Sequence, residues 1–185
     1  MIKLAAAIVT ITGCVDPPSA TIQYLERCDA MITATPIVDS VHVPYGAPVE
    51  WPTNPPTSGT HWSVWAQWDR AYVELPRGLW LHGAEHGGVV LSSRCSDCDD
   101  ASALVELAAA RPIDPHCAPP LRHRLIVTSD ALLPDGIAVG AVAWGVAYTA
   151  SCLDPEALVG FLDDHYGRAG ENTCADGIEL EGADF

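Results

Sequence analysis

Apolar positions follow two regimes along the chain. Up to about residue 76 they are scattered among prolines, glycines and tryptophans with no sustained period, and beyond that they settle into regular runs. "LWLH" (79–82) and "GGVVLSS" (87–93) read as strand material, as do "RLIVTS" (124–129) and "AVGAVAW" (138–144), the last so uniformly apolar that it suits a central strand buried on both faces. "DDASALVELAAA" (99–110) has helical spacing, with Leu104, Val105, Leu107 and Ala108 as its buried stripe and Asp100 or Ser102 as the cap. "DPEALVGFLDDHYG" (154–167) is a second helix, with Asp154 at the N-cap, Pro155 at the first helical position and Gly167 as the stop. The order strand, helix, strand, strand, helix predicts a two-layer α+β domain: a small mixed sheet, two main helices and a long aromatic and proline-rich N-terminal loop. That loop, residues 41–76, holds Trp51, Trp62, Trp65 and Trp68, so much aromatic area that it must pack onto the core.

The first residues change the picture of where the chain works. "MIKLAAAIVTITGC" is one lysine, an apolar run and a small-residue approach to Cys14, the pattern of a lipoprotein signal, and it is too short to span a bilayer. The expected organisation is a signal peptide over 1–13, a tether or arm over 14–40 that begins on Cys14 as the lipidated residue, a single α+β domain over 41–171 and an acidic tail over 172–185. The protein is then exported and lipid-anchored in the cell envelope, on the periplasmic or outer-membrane side, with the membrane and an envelope protein as its candidate partners. The formal charge of −15, from 24 acidic residues against nine basic ones, excludes a phosphate-backbone partner, so no nucleic acid is expected. Six cysteines remain after Cys14, namely Cys28, Cys95, Cys98, Cys117, Cys152 and Cys174; an even number in an exported chain predicts disulfides, with the pairing left open.

Candidate chemistry centres on "LHGAEHGGVVL" (81–91). The order His-x-x-Glu-His would place His82 and His86 about 6 Å apart on a helix, as in metallopeptidases of that motif. Gly83, Gly87 and Gly88 with the β-branched run that follows argue against a helix, and on a straight strand the two rings would stand about 13 Å apart. The reading that remains is a tight turn at Gly83 that folds both histidines towards one pocket and then enters a core strand. His61 follows the stiff turn "PPTSG" and His42 precedes the loop, so both can face the same place. His165 lies on an apolar helix stripe and points inward, more readily structural than functional. His116 and His123 flank a proline-rich connection and look peripheral. Ser58 lacks the Gly-x-Ser-x-Gly elbow of a nucleophile and reads as a turn residue.

"HV" at 42–43, "PPTSGTHW" at 55–62, "HGAEHGGVV" at 82–90, "AWG" at 143–145 and "FLDDHYG" at 161–167 together resemble the bacterial domain-of-unknown-function family numbered 3105, over about residues 41–171. The resemblance implies an exported or membrane-anchored fold unit without an assigned reaction. Gly83-Ala84 departs mildly from the family's usual pattern, and the extra cysteines look like local additions for stability.

Three functions fit these residues. The first is a transition-metal site, copper or zinc, with His61, His82 and His86 as ligands and Glu85 or His42 completing the set. The second is a metal-dependent hydrolase with Glu85 as its general base. The third is a metal-free structural or interaction protein of the envelope, in which the histidines and Trp144 form a hydrogen-bonded network. A separate redox reading rests on Cys95-Ser-Asp-Cys98 between a strand and a helix, where thioredoxin-like proteins carry a reactive pair. Asp97, Asp99 and Asp100 would raise the thiol pKa values, and no clear thioredoxin-like strand order follows, so a structural disulfide is the expectation there.

Overall fold

The computed structural model describes residues 19–180 and 183–184. The leader and Cys14, with the lipidation expected there, lie outside the described residues.

A mixed sheet forms the centre of the α+β domain. Its strands are β1 (Thr21–Tyr24), β2 (Met31–Ala34), β5 (Arg70–Glu74), β6 (Val89–Ser93), β7 (Leu125–Ser129), β8 (Val139–Ala143), β9 (Val146–Ala150) and β10 (Ala183–Asp184), in the order β1-β2-β9-β8-β6-β7-β5-β10. β6 runs parallel to β7, and β7 parallel to β5, while β8 and β9 are antiparallel to their neighbours. Alternation of side chains divides the sheet's two faces. Val89, Leu91, Leu125, Val127, Val139 and Ala141 point to one core with α2 (Asp99–Ala109) and α3 (Pro155–His165). Val90, Ile126, Val142 and Ala147 point to a second core under α1 (Arg77–Glu85). This is why these strands carry apolar residues at nearly every position: both faces are covered.

The sheet is wider than the sequence pattern predicts. β9 is a hairpin partner of β8 across the turn at Gly145, and residues 21–34 of the expected arm form β1 and β2, which extend the sheet through β9. The three disulfides are Cys28–Cys152, Cys95–Cys98 and Cys117–Cys174, so Cys28 ties the β1–β2 turn to the segment before α3. α3 starts as its sequence indicates: the Asp154 carboxylate accepts from the Ala157 N–H, Pro155 follows, and Gly167 adopts a positive φ just past the end. α2 differs in its cap, because Cys98 occupies the N-cap and neither Asp100 nor Ser102 caps it.

The main correction concerns residues 77–86. "LWLH" is part of helix α1, not a strand, and Gly83 lies inside the helix instead of forming a turn. Its glycines serve close packing. A Cβ on Gly83 would sit 2.7 Å from the Trp68 ring, and one on Gly78 would sit 2.8 Å from the Trp62 ring. The helix loses propensity at each glycine, about 1 kcal/mol relative to alanine, and recovers it by burying nearly every side chain along its length. The turn lies four residues beyond the expected one: Gly87 takes φ +85°, its N–H donates to the Ala84 carbonyl and the Gly88 N–H donates to the Gly83 carbonyl. That 6→1 and 5→2 pair is a Schellman stop, which turns the chain from α1 into β6.

Candidate metal centre

Two short strands bring the remaining histidines to α1. β3 (His42–Val43) and β4 (His61–Trp62) pair in parallel with His42 directly beside His61. The chain reaches that register through the turn at 55–60, where Gly59 has φ +104° and the Ser58 hydroxyl accepts from the Val38 N–H, a turn role consistent with its sequence context. The ribbon is fastened to the helix by His82, whose Nδ1–H donates to the Trp62 carbonyl at 2.6 Å. His82 and Glu85 are three apart on α1 and therefore share its ribbon-facing side.

The result is a compact cluster. His42, His61, His82 and Glu85 each offer one ligand atom, and these atoms all lie within 4.8 Å of one another. The three rings sit 4.6–4.7 Å apart, centroid to centroid. Glu85 Oε2 stands 3.3 Å from His42 Nε2 and 3.1 Å from His61 Nε2. Ligand atoms about 2.1 Å from a tetrahedral zinc would be separated by about 3.4 Å, so this edge of the cluster already has the spacing of a coordination sphere. Trp144 stands edge-on to His61, and Trp65 covers the rings of His82 and His86. Only His42 reaches solvent appreciably, its side chain 47 % exposed against 0 % for His61.

Hydrogen bonding fixes which ring nitrogens are available. A carbonyl oxygen only accepts, so His61 Nδ1, 2.8 Å from the Gly59 carbonyl, carries a proton, and His82 Nδ1 carries one for the Trp62 carbonyl. In the neutral rings both Nε2 atoms then present lone pairs. Burial lowers the pKa of His61 against the opposing Gly59 hydrogen bond, and it lowers His82 to about 4. Burial also works on Glu85, upwards, but the Ser40 side chain and the His61 and His42 rings outweigh it and hold the carboxyl below its ordinary value. In that neutral tautomer His61 Nε2 is a buried acceptor facing the Glu85 carboxylate at 3.1 Å.

Of the residues singled out in the sequence, His42, His61, His82 and Glu85 meet in this group, and His86 stands outside it. His86 caps the C-terminus of α1, stacks on His82 at 4.7 Å and turns Nδ1 to Glu171 at 3.1 Å. His165 is half-buried against Phe161 on the opposite side of the sheet, and His116 is exposed beside Asp114. His123 is not peripheral: it is buried, with Nδ1 2.6 Å from Asp69 Oδ1. The sequence reading missed Arg124 and Asp114, a buried pair behind the site. Arg124 donates to Asp114 through Nε and Nη2 and reaches the His86 carbonyl and Asn172 with Nη1, which satisfies a terminal carbonyl of α1 with a cation at its negative end. The signal available was an arginine opening the apolar run "RLIVTS", a place where a charge is buried only with a partner.

The structure thus defines a mixed α+β domain with a largely buried three-histidine, one-carboxylate cluster of a composition and spacing that could hold a metal ion. The chain belongs to the family described as "Protein of unknown function (DUF3105)", whose model matches residues 42–177. No curated protein and no solved structure matches the chain.

Proposed function

We propose that this protein is an envelope lipoprotein that binds one transition metal ion, copper or zinc, through His42, His61, His82 and Glu85. The observation that carries the reading is the 3.1 Å approach of His61 Nε2 to Glu85 Oε2 in a buried setting. With Nδ1 committed to Gly59, both atoms are acceptors, and two facing acceptors repel unless a proton or a cation lies between them. Burial disfavours the proton on His61, whereas a metal ion would draw on the same two atoms together with the rings of His42 and His82. Imidazole with one carboxylate suits zinc and copper alike. Glu85 within the ligand set is not free to serve as general base, so the site favours binding over hydrolysis. Export and the anchor on Cys14 are supported by the leader pattern and by three disulfides, which persist in an oxidising compartment.

The test is metal content by mass spectrometry on untagged protein, with His82→Ala and His86→Ala variants in parallel. Near-stoichiometric copper or zinc in the parent and in His86→Ala, lost in His82→Ala, is the expected result. Absence of metal from the parent after incubation with both ions would overturn the proposal.

A further inference from the structure

Outside the histidine cluster, the Cys95–Cys98 disulfide has surroundings that call for chemistry more than for support. The other two disulfides close 124 and 57 residues of chain, whereas this one joins residues three apart and so restrains the unfolded chain least. It sits where β6 ends, with Cys98 as the N-cap of α2. The strand order that the sequence left indistinct is now visible. β6 leads through the Cys-x-x-Cys and α2 to the parallel β7; β8 then returns antiparallel to β6, β9 antiparallel to β8, and α3 follows. The strands lie in the order β7-β6-β8-β9, and α2 and α3 fill the same core. A Cys-x-x-Cys between the first strand and first helix of that connectivity is the position of the thioredoxin-type redox pair. Both cysteines are partly exposed, and Ser96 and Asp97 between them are exposed. Alongside runs a groove of about 230 Å³ that includes Ser96, Ser102 and Val105 on one wall and Ala71, Val73 and Val127 on the other.

We propose that Cys95 and Cys98 form a two-electron thiol–disulfide exchange centre acting on a protein dithiol. A thiolate of the partner attacks Cys95 Sγ, the Cys95–Cys98 bond breaks, and Cys98 leaves as a thiolate at the positive end of α2 and takes a proton from solvent. The Cys95 carbonyl, 3.6 Å from Cys98 Sγ, then accepts from that thiol. The partner's second thiolate attacks its own sulfur in the mixed disulfide, and Cys95 leaves and is protonated in turn. The partner dithiol is oxidised to a disulfide, and Cys95 and Cys98 take up two electrons and two protons. The same steps reversed reduce a partner disulfide. Asp97, Asp99 and Asp100 disfavour thiolate at this loop, which slows exchange.

The test equilibrates the whole oxidised chain with graded dithiothreitol, alkylates the freed thiols and maps them by mass spectrometry. Insulin disulfide reduction by dithiothreitol is then followed with and without the protein. Cys95–Cys98 is expected to open at about tenfold less reductant than either other pair, and the protein to speed insulin reduction about tenfold over a Cys95→Ser/Cys98→Ser variant. An Asp97→Asn/Asp99→Asn/Asp100→Asn variant, which keeps both thiols, is expected to be faster still. Opening together with or after the other disulfides, or a parent rate equal to that of the double variant, would overturn the proposal.

Discussion

Replacing Asp114 tests how the domain holds in place the helix that carries His82 and Glu85. Asp114 is buried, accepts from Arg124 at 2.8 and 3.1 Å and from the Tyr166 hydroxyl at 2.7 Å, and also receives the His116 N–H. Burial would raise its pKa, but those hydrogen bonds and the Arg124 charge bring it down to about 2. Against an ordinary value near 3.9, that difference corresponds to about 2–3 kcal/mol of preference for the ionised form in the folded state. The folded pKa is depressed, so this contribution is fully present above pH ~4 and is lost as pH falls towards ~2. Removal of the side chain costs more than protonation, because it leaves the fully buried Arg124 uncompensated: about 3–5 kcal/mol for Asp114→Ala. For a chain of this length each kcal/mol is worth roughly 2–4 °C, so Tm should fall by about 6–20 °C. Urea unfolding with the disulfides intact gives the free energy directly, and Asp114→Asn, which retains acceptor capacity, should lose less. A loss below about 1 kcal/mol in Asp114→Ala would refute the claim that Arg124 depends on this carboxylate.

Gly88→Ala places a Cβ 2.4 Å from the Trp68 ring and 2.9 Å from the Arg124 carbonyl, and overpacking there is expected to cost about 1–3 kcal/mol in denaturant unfolding. His42→Ala should weaken metal binding in a calorimetric titration while leaving the unfolding free energy of the metal-free protein within about 0.5 kcal/mol, since this side chain is half exposed. Zinc or copper at a hundredfold excess over its dissociation constant should stabilise the parent by about 2.7 kcal/mol, read as a rise in Tm that a chelator abolishes. Leu104→Ala, which empties a fully buried position between α2 and the sheet, should cost about 2–5 kcal/mol without altering metal content.

How far these features could be read from the residues depended on whether the signal was local. α3 was legible because its cap, its Pro155 and its Gly167 stop are adjacent in sequence to the stripe they delimit. β8 was legible because a strand with both faces covered is apolar throughout. α1 was not, because helix propensity counts Gly78 and Gly83 against it, while the indoles of Trp62 and Trp68 that reward those glycines come from residues 16 and 15 positions away. β1 and β2 were hidden for a different reason: all of β1 is exposed at the sheet edge and most of β2 beside it is half-buried, so no alternation marks them. The site was visible as a set of residue types. Its membership turned on the parallel register of His42 with His61 and on the turning of the C-cap residue His86 towards Glu171, neither of which has a local sequence signal.

The positions of the cross-links divide the molecule by chemistry. The Cys28–Cys152 and Cys117–Cys174 disulfides staple segments outside a long interval, and no cysteine falls between Cys28 and Cys95. That interval carries the tryptophan-rich loop, β3, β4 and α1, and the histidine cluster joins its beginning, middle and end. An ion held there would be a further staple, closing loops of the kind a disulfide would close, but one that responds to metal supply and not to redox state. A thiol reductant and a chelator would therefore act on different fastenings, and conditions that loosen one leave the other in place.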